Sequence, residues 1–188
     1  MLRDLRYWTA RRPLRVPEGR QHILHSSSAR MTILAFTGTD VLVALLIDAK
    51  LPPAGRAVHI LWVVFSLTLS LGICAMTARA PHLLDDNSLH LRTGPFRALT
   101  LPLAAVSKVS VAHRYIPGHG LRRVPDSAEE VACSVGGATH LVIELRQPVL
   151  VRVRKGEPVL AKRVCLAADE PSQATRLISQ SINRDAQS

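Results

Sequence analysis

Residues 58–78 read VHILWVVFSLTLSLGICAMTA, a run without a single Lys, Arg, Asp or Glu. A helix of that length rises about 31 Å at ~1.5 Å per residue, enough to cross a hydrocarbon layer of ~30 Å. The stretch before it, KLPPAGRA (50–57), holds Pro52, Pro53 and Gly55, which is turn chemistry. Upstream of the turn lies MTILAFTGTDVLVALLIDA (31–49), apolar again but interrupted by Thr32, Thr37, Gly38, Thr39 and Asp40. A central Asp costs about 2.5–3.5 kcal/mol on insertion, which the surrounding Leu, Ile and Val offset only in part. Residues 31–49 and 58–78 are therefore expected to form a transmembrane hairpin, the first span inserting with its stronger neighbour.

At 188 residues the chain has room for one further domain. Hydrophobic residues make up 47% of it, concentrated between 31 and 78, and aromatics only 4%. The net charge is +10, and 20 of the 24 basic residues are Arg. Such basicity admits nucleic acid or an anionic membrane surface. With spans present and no aromatics interleaved among the charges, the membrane surface is expected and nucleic acid is not. Cys74, Cys133 and Cys165 are odd in number and far apart. Free reduced thiols are expected, not a disulfide framework.

Residues 1–30 form a basic tail with seven Arg against Asp4 and Glu18, too long a lead for a cleavable signal peptide. Leu2, Leu5 and Trp8 recur at helical spacing, so this segment is either a short interfacial helix or a disordered tail. Residues 11–30 hold five Lys or Arg, the turn two and residues 79–97 three, a bias that places both termini in the cytoplasm.

After Pro81 the period changes. Alternating or β-branched runs at 89–91, 96–101, 106–113, 130–135, 140–145, 149–153 and 159–167 predict about seven strands. Turns are expected at Gly94-Pro95, Pro117-Gly118, Gly136-Gly137, Gln147-Pro148 and Gly156 to Pro158, and residues 115–128 read as an irregular loop. Residues 170–184 read as a helix with Asp169 as N-cap and Ala174, Leu177, Ile178 and Ile182 in one stripe.

PHLLDDNSLHLRTG (81–94), TLPLAAVSKVSV (100–111) and ELRQPVLVRVRKGEPVLAKRVCLAADEP (144–171) carry a resemblance. In this order they resemble a bacterial pleckstrin-homology-like domain fused to a transmembrane hairpin, more narrowly a group of uncharacterised actinobacterial-type membrane proteins. The matching positions are Leu89, Leu91, Arg92 and Gly94, then Pro102, Leu103 and Val106, then Asp169 and Pro171. The resemblance implies an α+β membrane protein of the bacterial inner membrane. Residues 79–188 would be a cytoplasmic PH-like barrel or sandwich with a C-terminal capping helix. It implies no catalytic residue and no cofactor.

Folding the hairpin about residues 53–54 sets Asp40 level with Ser66 and Ser70 on the second span, an intramembrane ionisable site or a polar packing contact. The same geometry sets Asp48 beside His59 at the outer interface, as a staple or a pH-sensitive contact. Arg122, Arg123, Arg152, Arg154, Lys155, Lys162 and Arg163 are either a lipid- or partner-binding basic surface or an ordinary solvated face.

The eight His show no compact metal-ligand spacing; His22 and His25 fall in a Ser-rich, mobile-looking stretch. The chain contains no GxSxG, P-loop or GxGxxG, and Asp85-Asp86 and Glu129-Glu130 read as solvated turns. A non-enzymatic, membrane-anchored binding or scaffolding protein is expected, recognising a protein partner or anionic lipid. The alternatives are a small accessory subunit of a larger membrane complex acting through the hairpin and, last, an enzyme; the partner expected is another protein or a second copy of the chain.

Overall fold

A computed structural model describes residues 1–10, 20–93, 98–153 and 157–185. Helix α1 (Leu2–Thr9) opens the chain; α2 (Ser27–Asp48) and α3 (Pro53–Ala78) follow as an antiparallel pair. Each of the pair is long and apolar enough to cross a membrane. Pro53 sits at the first position of α3, where its missing N–H breaks no helical bond. Phe36, Leu46 and Leu61 are 69%, 71% and 70% exposed, whereas a core helix of a globular domain would bury such residues. The Thr-rich character of α2 is answered locally. Thr32, Thr37 and Thr39 each donate a hydroxyl to the carbonyl four residues earlier, which satisfies these groups inside the helix.

The N-terminal segment is a helix, and it seats on α3. Gly72 makes room for it: a Cβ there would stand 2.6 Å from Met1 Cγ. Arg79 lies 5.3 Å from the centre of the Tyr7 ring, a cation–π distance. Gly72→Leu should therefore unseat α1 while leaving α2 and α3 paired, read as faster hydrogen exchange confined to residues 2–9.

The remaining chain builds two sheets. The first orders β1 (Gln21–Ile23), β2 (His82–Leu84), β3 (Ser88–Leu91) and β4 (Leu99–Pro102) as antiparallel neighbours. After a 3₁₀ turn at Leu103–Ala105 come β5 (Val106–Tyr115), β6 (Gly120–Arg123), β7 (Glu130–Ser134), β8 (Ala138–Val151) and β9 (Val159–Leu166). They are ordered β5-β8-β9-β7-β6, with β7 and β9 parallel and the other pairs antiparallel. Helix α4 (Pro171–Asp185) closes the domain against β5. Leu84, Leu89, Leu101, Leu141, Ile143, Leu166 and Ile178 are fully buried in the common core, with Leu177 and Ile182 packed at its edge.

Several expectations change. Residues 21–26 are no tail: β1 adds an edge strand and buries Ile23, and three residues are too few to show a period. Gln147-Pro148 does not break the chain into two strands. The 14-residue β8 passes through it with a register shift between Glu144 and Val149, a bulge that spares the ladder the missing proline N–H. The supposed loop 115–128 contains β6, and β2 arises at His82–Leu84. Gly94-Pro95 and Gly156 lie outside the described residues.

Asp169 caps a different helix from the one expected. Its Oδ1 and Oδ2 accept the Ser27 N–H at 3.0 and 3.3 Å, at the start of α2, and its own N–H donates to Leu24 O at 2.8 Å. Ser26 Oγ donates to Thr77 O at 3.3 Å, joining the two inner helix ends. A carboxylate at a helix N-terminus satisfies an orphan donor and meets the positive end of the dipole. Asp169→Ala should cost about 1 kcal/mol and raise hydrogen exchange at residues 27–30 before it affects α4.

Candidate functional site

Three places concentrate polar or titratable groups. Within the hairpin, Asp40, Ser66, Ser70 and His59 line one groove of about 570 Å³, with Thr37 and Trp62 on its walls. Asp48 Oδ1 and His59 Nδ1 stand 3.6 Å apart near the turn that joins the two helices, too far for a hydrogen bond.

The basic residues of the β domain do not form one free surface. The Arg122 guanidinium turns inward, donating to the carbonyls of Pro117 (2.8 Å) and Gly120 (3.0 Å), to Ser134 Oγ (3.1 Å), and to Ile116 O. It organises the turn in which Gly118 and Gly120 take φ of 108° and 76°, and burial lowers its pKa. Arg123 donates to Ser127 O at 3.3 Å, and Lys162 pairs with Glu129 at 2.7 Å. Arg163 pairs with Glu130 at 2.8 Å, and Arg114, which carried no signal in the sequence, reaches the other oxygen of Glu130 at 2.7 Å. Glu130 is not a solvated turn acid: it is 4% exposed on β7, with register partners Glu130, Arg163, Glu144 and Lys108 alternating in charge across four strands. Arg152 is exposed, and Arg154 and Lys155 lie outside the described residues.

The third place is where hairpin meets β domain. His25, just after β1, stacks on His82 with ring centres 3.9 Å apart and planes 11° from parallel. Both are buried, and His82 Nδ1 accepts the Arg92 N–H at 2.9 Å. Burial lowers the His25 pKa to about 4 and that of His82 well below its ordinary value, so the stack is neutral at pH 7.

Beside the stack lies a cavity of about 530 Å³, roofed by the inner ends of α2 and α3 and floored by the β domain. His119 Nδ1 donates to Val135 O at 2.7 Å, and His140 Nδ1 accepts the Ala168 N–H at 3.3 Å. Burial, with His113 edge-on 5.5 Å away, lowers the His140 pKa. Nothing in sequence spacing announces this site, because its walls come from five separate stretches of chain. Cys74, Cys133 and Cys165 are free and buried, and burial pushes the Cys133 thiol up to about 12.

The fold and site define an α+β protein with a two-helix apolar hairpin docked on a two-sheet domain. Comparison with protein-family models, characterised proteins and solved structures finds no match.

Proposed function

We propose that this chain is a non-catalytic, membrane-anchored binding module of the bacterial inner membrane. The hairpin spans the bilayer, both termini face the cytoplasm, and a PH-like β domain presents its surface to a protein partner. The observation that carries this reading is the outward, exposed apolar surface of a hairpin whose inner ends are tied to the β domain through Asp169–Ser27 and Ser26–Thr77. A bilayer solvates such a surface, as water does not. Two sheets closed by α4 support the PH-like assignment, and the parallel β7–β9 pair departs from an all-antiparallel barrel. A protein partner is favoured over anionic lipid because the Arg122 guanidinium turns inward and Lys162 and Arg163 are already paired with Glu129 and Glu130.

The native cysteines are buried, so single reporters are clean. Ala54→Cys at the start of α3 should react with an impermeant maleimide in intact cells, and Asn183→Cys on α4 only after lysis. Reaction of both in intact cells, or release of the chain by alkaline carbonate, would refute the anchored reading.

The groove holding Asp40, Ser66 and Ser70 favours a second reading, in which the hairpin itself packs on a larger membrane complex. Replacing residues 31–78 with an unrelated two-span anchor separates the two. Retained association with the partner excludes the hairpin reading; lost association with a folded β domain excludes the first.

A further inference from the structure

The junction cavity has the position and chemistry of a lipid site. Its α2 wall runs from Ser28 to Ile33, about 8 Å at ~1.5 Å per residue, which is the depth of the headgroup layer on one side of a bilayer. On the anchored reading, on which this inference rests, Ile33, Ile73 and Met76 lie at the first acyl carbons while Tyr115, His119 and His140 lie just below the membrane. A volume of about 530 Å³ falls in the range that holds a small ligand. Among the described residues no Lys, Arg, Asp or Glu lines it, so nothing there compensates a charged headgroup.

Three histidines line the cavity; His25 is taken up in the stack with His82, and the other two are complementary. His119 Nδ1 donates to a carbonyl, so in the tautomer with a single ring proton Nε2 is the acceptor. His140 Nδ1 accepts a backbone N–H, which places the ring proton on Nε2 as a donor. A hydroxyl both donates and accepts, and so matches the chemistry of either ring.

We propose that this cavity binds an uncharged, hydroxyl-bearing membrane lipid, its hydroxyl between His119 and His140 and its first chain carbons against Ile33, Ile73 and Met76. A diacylglycerol and a long-chain or polyprenyl alcohol share this chemistry.

The test uses the full chain in phosphatidylcholine nanodiscs doped with a photoactivatable diacylglycerol, a photoactivatable prenol, the acetylated form of each, or photoactivatable phosphatidylglycerol. Cross-links from one or both hydroxyl lipids are expected at Ile33, Ile73, Met76 and Tyr115, and the stronger arm identifies the source. Thr32→Trp and Ala138→Leu, which fill the cavity from opposite walls, should each cut that labelling about tenfold, the loss that goes with expelling about two methylenes. Thr39→Trp, higher on the same helix, should leave it unchanged.

Equal labelling by the acetylated lipids, preference for phosphatidylglycerol, or labels spread evenly along α2 and α3 would overturn the proposal. So would insensitivity to both filling variants. If the chain enters the discs and resists carbonate but gives no cavity labels, the lipid site alone fails. If it does not enter them, the anchored reading fails with it.

Discussion

Lowering the pH from 7 to 4 should remove about 3 kcal/mol of folding stability through His25 alone. Its pKa falls from an ordinary 6.5 to about 4 because the ring is buried at the junction. Above pH 6.5 neither the folded nor the unfolded chain protonates this residue, and its contribution is whole. Below 6.5 the unfolded chain takes up a proton that the folded one refuses until about pH 4, and a difference of that size is worth about 3 kcal/mol. His82 acts in the same direction, since protonating one ring of a stack 3.9 Å apart further opposes charge on the other.

Carboxylates also titrate across this range, so the comparison needs a variant. His25→Phe keeps a flat ring in the stack and gives up no well-formed hydrogen bond, because neither nitrogen of His25 has one among the described residues. It should therefore match the parent chain within about 0.5 kcal/mol at pH 7 and exceed it by about 3 kcal/mol at pH 4. Thermal unfolding of the detergent-solubilised chain followed by circular dichroism reads both values. Parallel pH profiles for the two proteins would refute the assignment.

The second large effect belongs to Glu130. Its carboxylate is 4% exposed and takes Arg114 on one oxygen and Arg163 on the other. Removing one partner of a fully buried pair costs about 3–5 kcal/mol, because the remaining charge is stranded. Here the Arg114 and Arg163 side chains are 42% and 52% exposed, so water recovers part of that loss. Glu130→Gln should cost about 2–3 kcal/mol, with hydrogen exchange rising first in β7 and β9, the parallel pair that the two ion pairs bracket. Lys162→Ala, which breaks only the exposed pair with Glu129, should cost less than about 1 kcal/mol. Equal losses in the two variants would show that Glu130 is not the organising charge of that sheet.

The hairpin was legible in the sequence because its signal is local. Apolar runs of helical length, a Pro-Pro turn and an Asp at the centre of one span are properties of consecutive residues. The register that sets Asp48 beside His59 and Asp40 near Ser66 and Ser70 follows from equal rises on either side of that turn. Most strands were legible for the same reason, since period-2 alternation needs only five or six residues. Gln147-Pro148 misled because a proline reads as a break unless a bulge is known to receive it.

The rest was decided by the tertiary structure. Arg122 folds back on Pro117 and Gly120 within its own turn, and whether Glu130 meets water or two arginines depends on β7 pairing with β9 across about thirty residues of chain. Asp169 caps α2 across 142 residues, and His25 meets His82 only once β1 pairs with β2. A sequence pattern records which face of its own element a residue occupies. Which other element covers that face, and therefore which charges are spent and which cavity remains, is set by packing over distances that no local period encodes.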